Sequence, residues 1–139
     1  MKAVFLDTAF LIALLINDDN YHDAAIAWKQ AIRGPLLTTE YVLLEFVDAL
    51  SSPAHRQRAL AAVRELRNAA EVQIVSASTG VMDDGMLLFS KYADKQWSLT
   101  DCISFHIMRQ ADVTDALTSD RDFEQAGFRA LLRTLPNQP

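Results

Sequence analysis

The apolar positions of this chain fall into short blocks separated by polar punctuation, and two periods recur. "AVFL" at 3–6 is a brief unbroken apolar run, the pattern of a strand covered on both faces. "TAFLIALLI" follows, with Thr8 as the predicted N-cap, and "NDDN" at 17–20 ends that helix. "YHDAAIAWKQAIR" at 21–33 repeats apolar residues at helical spacing (Tyr21, Ala24 and Ala25, Trp28, Ile32) until Gly34-Pro35 stops it. "LLTT" at 36–39 predicts a second strand, after which Thr39 caps a helix to about Leu50, broken by "SSP" at 51–53. Residues 54–70 predict an amphipathic helix with Leu60, Val63, Leu66 and Ala70 on one side and Arg58 and Glu65 on the other. "VQIVSA" at 72–77 reads as a strand, Ser78 as the cap of a helix to about Ala93, and Thr100 as the cap of another to about Ala111. "DALTS" at 115–119 reads as a strand, "FEQAG" as a short helix closed by Gly127, and "FRALL" at 128–132 as the last strand.

Short strands alternating with helices predict an α/β fold: a small parallel sheet of about four to five strands flanked by helices on both faces. Crossovers in such sheets are right-handed, so the C-terminal ends of the strands share one edge, and that edge carries the site. Four acids sit against the most apolar segments: Asp7 in "VFLDTAF", Glu45 in "YVLLEFV", Asp101 in "SLTDCISF" and Asp120 in "ALTSDRDF". Asp7 and Asp120 follow predicted strands, and Asp101 opens a helix. Glu45 lies inside a helix that reaches the same edge if it packs there.

Each acid also has a local explanation. Asp7 could cap the helix after it. Asp101 could favour the positive end of its helix. "DFEQ" at 122–125 has the shape of a capping box, with Gln125 reaching back to the Asp122 N–H, so Asp122 is assigned mainly to that role. Glu45 is hardest to explain locally. Val42, Leu43, Leu44, Phe46 and Val47 surround it, and no basic residue sits three or four positions away. A helix apolar nearly all round is a buried one, where a glutamate needs water at a cleft or a cation. Asp48, three positions on, is a weaker companion.

Taken together, clustered carboxylates suit Mg²⁺ or Mn²⁺, hard cations that prefer oxygen ligands. Such a cluster supports phosphodiester hydrolysis, as in two-metal nucleases. Thr8, Thr100, Thr118 and Ser119 place hydroxyls beside the acids, suited to supporting contacts or, for Thr100 especially, to capping.

Composition adjusts this picture only slightly. With 139 residues the chain suits one domain, taken as 1–139. The formal net charge of −5 argues against a generic nucleic-acid binder, but four acids occupied by metal would bring it near neutral. The single Cys102, in an apolar helical stretch, forms no internal disulfide and reads as an inert core thiol in a reducing compartment. No apolar run approaches the roughly 20 residues of a membrane span. Asp7 interrupts the one stretch that could be misread as a signal peptide. The expectation is a cytoplasmic protein without membrane association.

"FLDTAFLIAL", "TTEYVLLEF", "LTDCISF" and "ALTSDRDFEQAGF" resemble, in order, the motifs of PIN-domain proteins, especially the VapC-type toxins of bacteria and archaea. The resemblance runs from the first strand to about Phe128. It implies a PIN-like α/β/α sandwich and a Mg²⁺- or Mn²⁺-dependent endoribonuclease holding one or two ions. Carried over residue by residue, the acidic cluster is Asp7, Glu45, Asp101 and Asp120, as catalytic residues and metal ligands. Thr8, Thr118 and Asp122 are supporting, Asp122 at a position where the family varies. The resemblance further implies an RNA substrate hydrolysed to a 5′-phosphate and a 3′-hydroxyl, a homodimer, and restraint by a VapB-type antitoxin protein.

Histidine has no part in this reading: His22, His55 and His106 are scattered away from the four acids, and His106 reads as packed at an edge. Positive charge for RNA could come from Arg56, Arg58, Arg64 and Arg67 on one helix, from Lys91 and Lys95, or from Arg121, although the arginine helix reads better as a solvated face. Trp97 and Tyr92 read as packing residues before stacking platforms. Among other phosphate enzymes, a haloacid-dehalogenase-type phosphatase needs a second Asp where this chain has Ala9. A receiver domain needs a late Lys after a strand, which is missing. The remaining alternative is a non-catalytic PIN-like module that binds RNA or metal without cutting.

Overall fold

The computed structural model describes residues 2–137. Its central strand is β1 (Val4–Leu6), all three residues buried. The chain continues through α1 (Thr8–Leu15), α2 (His22–Ala31), β2 (Leu36–Thr39), α3 (Glu40–Ala49), α4 (Arg56–Asn68) and β3 (Val72–Val75). It then forms α5 (Thr79–Lys91), α6 (Leu99–Gln110), β4 (Asp115–Leu117), α7 (Arg121–Gln125), β5 (Arg129–Ala130) and a 3₁₀ turn at Leu131–Arg133. The five strands pair in parallel in the order β3-β2-β1-β4-β5, with Phe5 opposite Leu37 on one side and Ala116 on the other. Helices flank this sheet, giving the α/β/α sandwich expected from the sequence.

That strand order has a physical consequence. The chain moves from β1 outward through β2 to β3, then returns to the other side of β1 to add β4 and β5. The direction of winding reverses between β1 and β4, and a crevice opens beyond the C-terminal ends of the strands at such a reversal. Asp7 leaves β1 there, and the segment Thr118–Asp120 leaves β4 there. A helix that feeds a parallel strand runs back against the sheet direction, so α6 begins at this same edge before descending to β4.

A train of aromatic rings fixes α6 and α7 to the sheet. Phe105 of α6 meets Trp97 and Phe123 edge-on, at 5.1 and 4.9 Å between ring centroids, and Phe123 of α7 lies 6.4 Å from Phe5 of β1. All four rings are buried, and edge-to-face pairs of this kind add directionality to the ordinary gain of burial. Trp97 is thus a core residue, with Tyr92 packed on it. The α5 and α6 helices approach so closely that Gly85 leaves no room for a side chain: a Cβ there would collide with Ile103 Cγ1.

The structure corrects several local expectations. The N-cap position of α1 is Asp7, with Thr8 the first helical residue. Ser98, not Thr100, caps α6, its hydroxyl accepting from the Asp101 N–H at 3.0 Å. The capping box at 122–125 does not form. Asp120 caps α7 by accepting from the Asp122 N–H at 2.8 Å, and Gln125 Oε1 instead accepts from Trp97 Nε1. Val63 and Leu66 face the core as expected and Ala59 joins them, whereas Leu60 is exposed and Ala70 lies beyond the end of α4. The α3 helix is not buried all round either: Leu44 is 61% exposed. The last strand keeps only two residues before the chain turns into the 3₁₀ segment. Thr39 and Ser78 cap α3 and α5 as expected, accepting from Val42 N–H and Val81 N–H.

Candidate active site

Asp7 extends from the end of β1 into the crevice, 5% exposed, and caps no backbone N–H of its helix with its side chain. Its strongest partner is the Thr118 hydroxyl, which donates to Asp7 Oδ2 at 2.7 Å. Thr118, itself fully buried, also accepts from the Asp120 N–H at 3.1 Å. One hydroxyl therefore ties the exit of β1 to the exit of β4. Burial holds the Asp7 carboxyl up at about 6; the Thr118 and Thr8 hydrogen bonds work against this, while the charges of Glu45 and Asp120 add to it.

Asp101 occupies the first turn of α6, three residues after the Ser98 cap. Burial pushes its carboxyl up to about 7, the charges of Asp7 and Asp120 push the same way, and hydrogen bonds from Ser98 oppose them. Both local explanations for these two acids are thus weak. A carboxylate placed to cap a helix is held ionised by its N–H partners, whereas these two are pushed toward the neutral form.

One ligand oxygen from each of Asp101, Asp120 and Asp122 lies within 4.8 Å of the others, close enough to hold a metal ion together. Asp122 joins this group because α7 starts at Arg121 and directs it toward Asp101. Its carboxyl is raised by burial and by Asp120. Glu45 is half-buried on α3, near enough for its charge to act on Asp7. Asp48 is exposed and takes no part in the charge interactions that raise Asp7 and Asp101. Among the described residues, none of the ion pairs includes Asp7, Glu45, Asp101, Asp120 or Asp122. Asp7, Asp101 and Asp120 thus act on one another through charge and Glu45 acts on Asp7, while among the described residues the ligand oxygens that converge are those of Asp101, Asp120 and Asp122, without Asp7 or Glu45.

Other groups stand apart. Thr8 Oγ1 is buried beside Asp7 without a protein partner. His106 Nε2 faces Asp84 of α5 at 3.2 Å. Cys102 is buried, and burial together with the Asp101 charge raises its thiol above the ordinary range, as suits an inert core residue. Arg58 donates to the Leu15 carbonyl and Arg67 pairs with Glu40 at 3.8 Å, so two of the α4 arginines serve the fold. An apolar cavity of about 600 Å³ lies among α1, α2, α4 and the starts of β2 and β3; none of the five acids lines it. Sequence reasoning missed Ser98, although the spacing Ser98-x-x-Asp101 is itself a capping signal.

Among the described residues no helix is long and apolar enough to cross a membrane. A family model described as "PIN domain" matches residues 4–129. The chain is 26% identical over 125 residues to the 23S rRNA-specific endonuclease VapC20 of two Mycobacterium tuberculosis strains, covering 90% of this chain and 95% of that protein. The crystal structure of VapC20, described as a Sarcin-Ricin loop cleaving toxin, superposes with a TM-score of 0.84 at 24% identity over 91% of this chain and 97% of that one. FitAcB from Neisseria gonorrhoeae shares the fold with a TM-score of 0.64 at 15% identity, over 91% and 95% of the two chains.

Proposed function

This chain belongs to the PIN-domain family, and from that premise we propose that it is a Mg²⁺- or Mn²⁺-dependent endoribonuclease of the VapC type. The observation that carries the reading is the convergence of Asp101, Asp120 and Asp122, one ligand oxygen from each within 4.8 Å of the others, with the buried carboxyl of Asp7 close enough for its charge to act on Asp101. Carboxyls crowded and desolvated in this way are poised for a positive ligand, whose arrival turns mutual repulsion into shared attraction. The donors are all oxygen, which favours hard divalent ions.

In this reading Asp7, Glu45, Asp101 and Asp120 hold one or two ions, with Asp122 beside them. When bound, the ions neutralise phosphate charge and lower the pKa of water. The residues of the chain supply the arrangement. Thr118 fixes the rotamer of Asp7. Ser98 sets the start of α6, and so the height of Asp101. The α7 cap turns Asp120 and Asp122 toward Asp101. Water adds to the phosphorus in line, the P–O3′ bond breaks, and the 3′ oxygen takes a proton, leaving a 5′-phosphate and a 3′-hydroxyl. His106, engaged with Asp84, serves no role as base.

The VapC20 relative's action on 23S rRNA suggests structured ribosomal RNA as the first substrate to test. A VapB-type antitoxin and a homodimer belong to the same proposal. The test is incubation with intact ribosomal RNA and Mn²⁺, mapping new 5′ ends, beside Asp101→Asn and a chelated control. Discrete cuts that vanish in both controls support the enzyme. Metal-dependent RNA binding with no new ends would replace it with a non-catalytic module.

A further inference from the structure

The Ser119–Asp120 peptide carries the backbone from which Asp120 reaches its neighbours, and both of its polar atoms are held. The Asp120 N–H donates to Thr118 Oγ at 3.1 Å. The Ser119 carbonyl, the other end of the same peptide plane, accepts from Arg133 Nη1 at 3.3 Å. One residue earlier, the Thr118 carbonyl accepts from the Leu132 N–H at 3.1 Å. The short segment after β5 thus grips the loop after β4 at two successive carbonyls. Arg133 is itself braced, its Nε 3.6 Å from Glu124 of α7 and its Nη1 3.3 Å from the Tyr21 hydroxyl at the start of α2. Only about a quarter of its side chain is exposed (26%).

We propose that Arg133 is a positioning residue for the acidic site: its guanidinium fixes the Ser119–Asp120 peptide plane and thereby the placement of Asp120 against Asp101 and Asp122. Three observations distinguish this from an ordinary surface arginine. The guanidinium meets a main-chain oxygen adjoining a member of the candidate metal triplet. It does so from a segment that shares no helix or strand with any of the acids. The opposite edge of the same peptide is held by Thr118, which also binds Asp7. A peptide fixed at one end can still rotate, whereas one fixed at both cannot. Arg133 also contacts Glu124, three residues after Arg121 on α7, so loop and helix move as one body around it. The inference rests on the metal-site reading of the five acids and extends it to a cation whose own partners are the Ser119 carbonyl, the Tyr21 hydroxyl and Glu124.

The test is calorimetric titration of Mn²⁺ into wild type, Arg133→Gln, Arg133→Lys and Asp101→Asn, with thermal unfolding of each metal-free protein. Loss of a group that orients a ligand from behind costs about 10- to 100-fold in metal affinity. The expected result is weakening of that size in Arg133→Gln and substantial recovery in Arg133→Lys, which retains a donor and a charge. Should Arg133→Gln fail to fold, the double variant Tyr21→Phe with Glu124→Gln removes the braces instead, and weakening of Mn²⁺ binding is expected there too. Wild-type affinity in a folded Arg133→Gln, or in the double variant, would overturn the positioning role alone. Absence of Mn²⁺ binding in wild type, or binding indifferent to Asp101→Asn, would overturn the metal-site reading and this inference with it.

Discussion

The Thr118 hydroxyl donates to Asp7 Oδ2 at 2.7 Å across 111 residues of sequence, in a place where both side chains are buried. This bond is one of the few forces favouring the charged form of Asp7. In Thr118→Val, nearly equal in shape, Asp7 loses its donor and its carboxyl rises further. Stability at neutral pH falls by about 1–3 kcal/mol, the cost of leaving a buried polar group without its partner. Carboxyl-carbon NMR of Asp7 in the two proteins, with urea unfolding, checks both halves. An unmoved Asp7 titration would contradict the assignment.

The metal-free protein should lose stability as pH rises. Asp7 and Asp101 are raised in the folded chain from 3.8 to about 6 and about 7. Below pH 4 both are protonated whether folded or unfolded, and neither penalises folding. Between about pH 4 and 7 the folded chain holds more protons than the unfolded one, so stability declines through that window. Above pH 7 the penalty is complete, on the order of a few kcal/mol in total. Urea midpoints in chelator at pH 5 and pH 8 read this directly. Saturating Mn²⁺ should reverse the order, because the ion binds the ionised carboxylates.

Asp101→Asn should separate stability from function. Replacing a desolvated, repelled carboxylate by a neutral amide stabilises the metal-free protein at pH 8 by on the order of 1–3 kcal/mol. The same change removes a ligand oxygen and weakens Mn²⁺ binding and any cleavage. A variant destabilised at pH 8 in chelator would show that Asp101 is structural.

Gly85→Ala probes the seam between α5 and α6. The added methyl meets Ile103 two residues after Asp101, and neither helix can yield without shifting the other. Overpacking of this kind costs about 1–3 kcal/mol. Pairing it with Ile103→Val should recover part of the loss, measured by thermal unfolding of the single and double variants. No recovery would place the strain elsewhere.

The alternation of short apolar runs with helical periods made the parallel sheet legible from sequence, because strands covered on both faces must be apolar throughout. The proximity of Asp7, Asp101 and Asp120 was legible for a related reason, since acids at strand exits and helix starts of such a sheet share an edge. Tertiary choices were harder to read. Ser98 and Thr100 are comparable caps, and only the position of the Asp101 N–H selects Ser98. Gln125 suited a capping box until the Trp97 indole, 28 residues away, engaged it. On α4 Val63 and Leu66 were legible but Leu60 was not, because Ala59 and Leu60 are both apolar and it is the smaller one that is buried. Arg133 belongs to no motif at all; its importance comes from the peptide it meets.

The winding reversal between β1 and β4 also orders events in time. A ribosome delivers Asp7, Glu45 and Asp101 well before β4 exists, and until β4 pairs with β1 nothing holds Thr118 against Asp7. Asp120 arrives later still, and the segment that grips its loop follows it. A nascent chain thus carries an incomplete and electrostatically disfavoured set of carboxylates until its last strands dock. Under the nuclease reading, the acidic cluster reaches its full arrangement only once β4, Asp120 and the segment that bears Arg133 have docked.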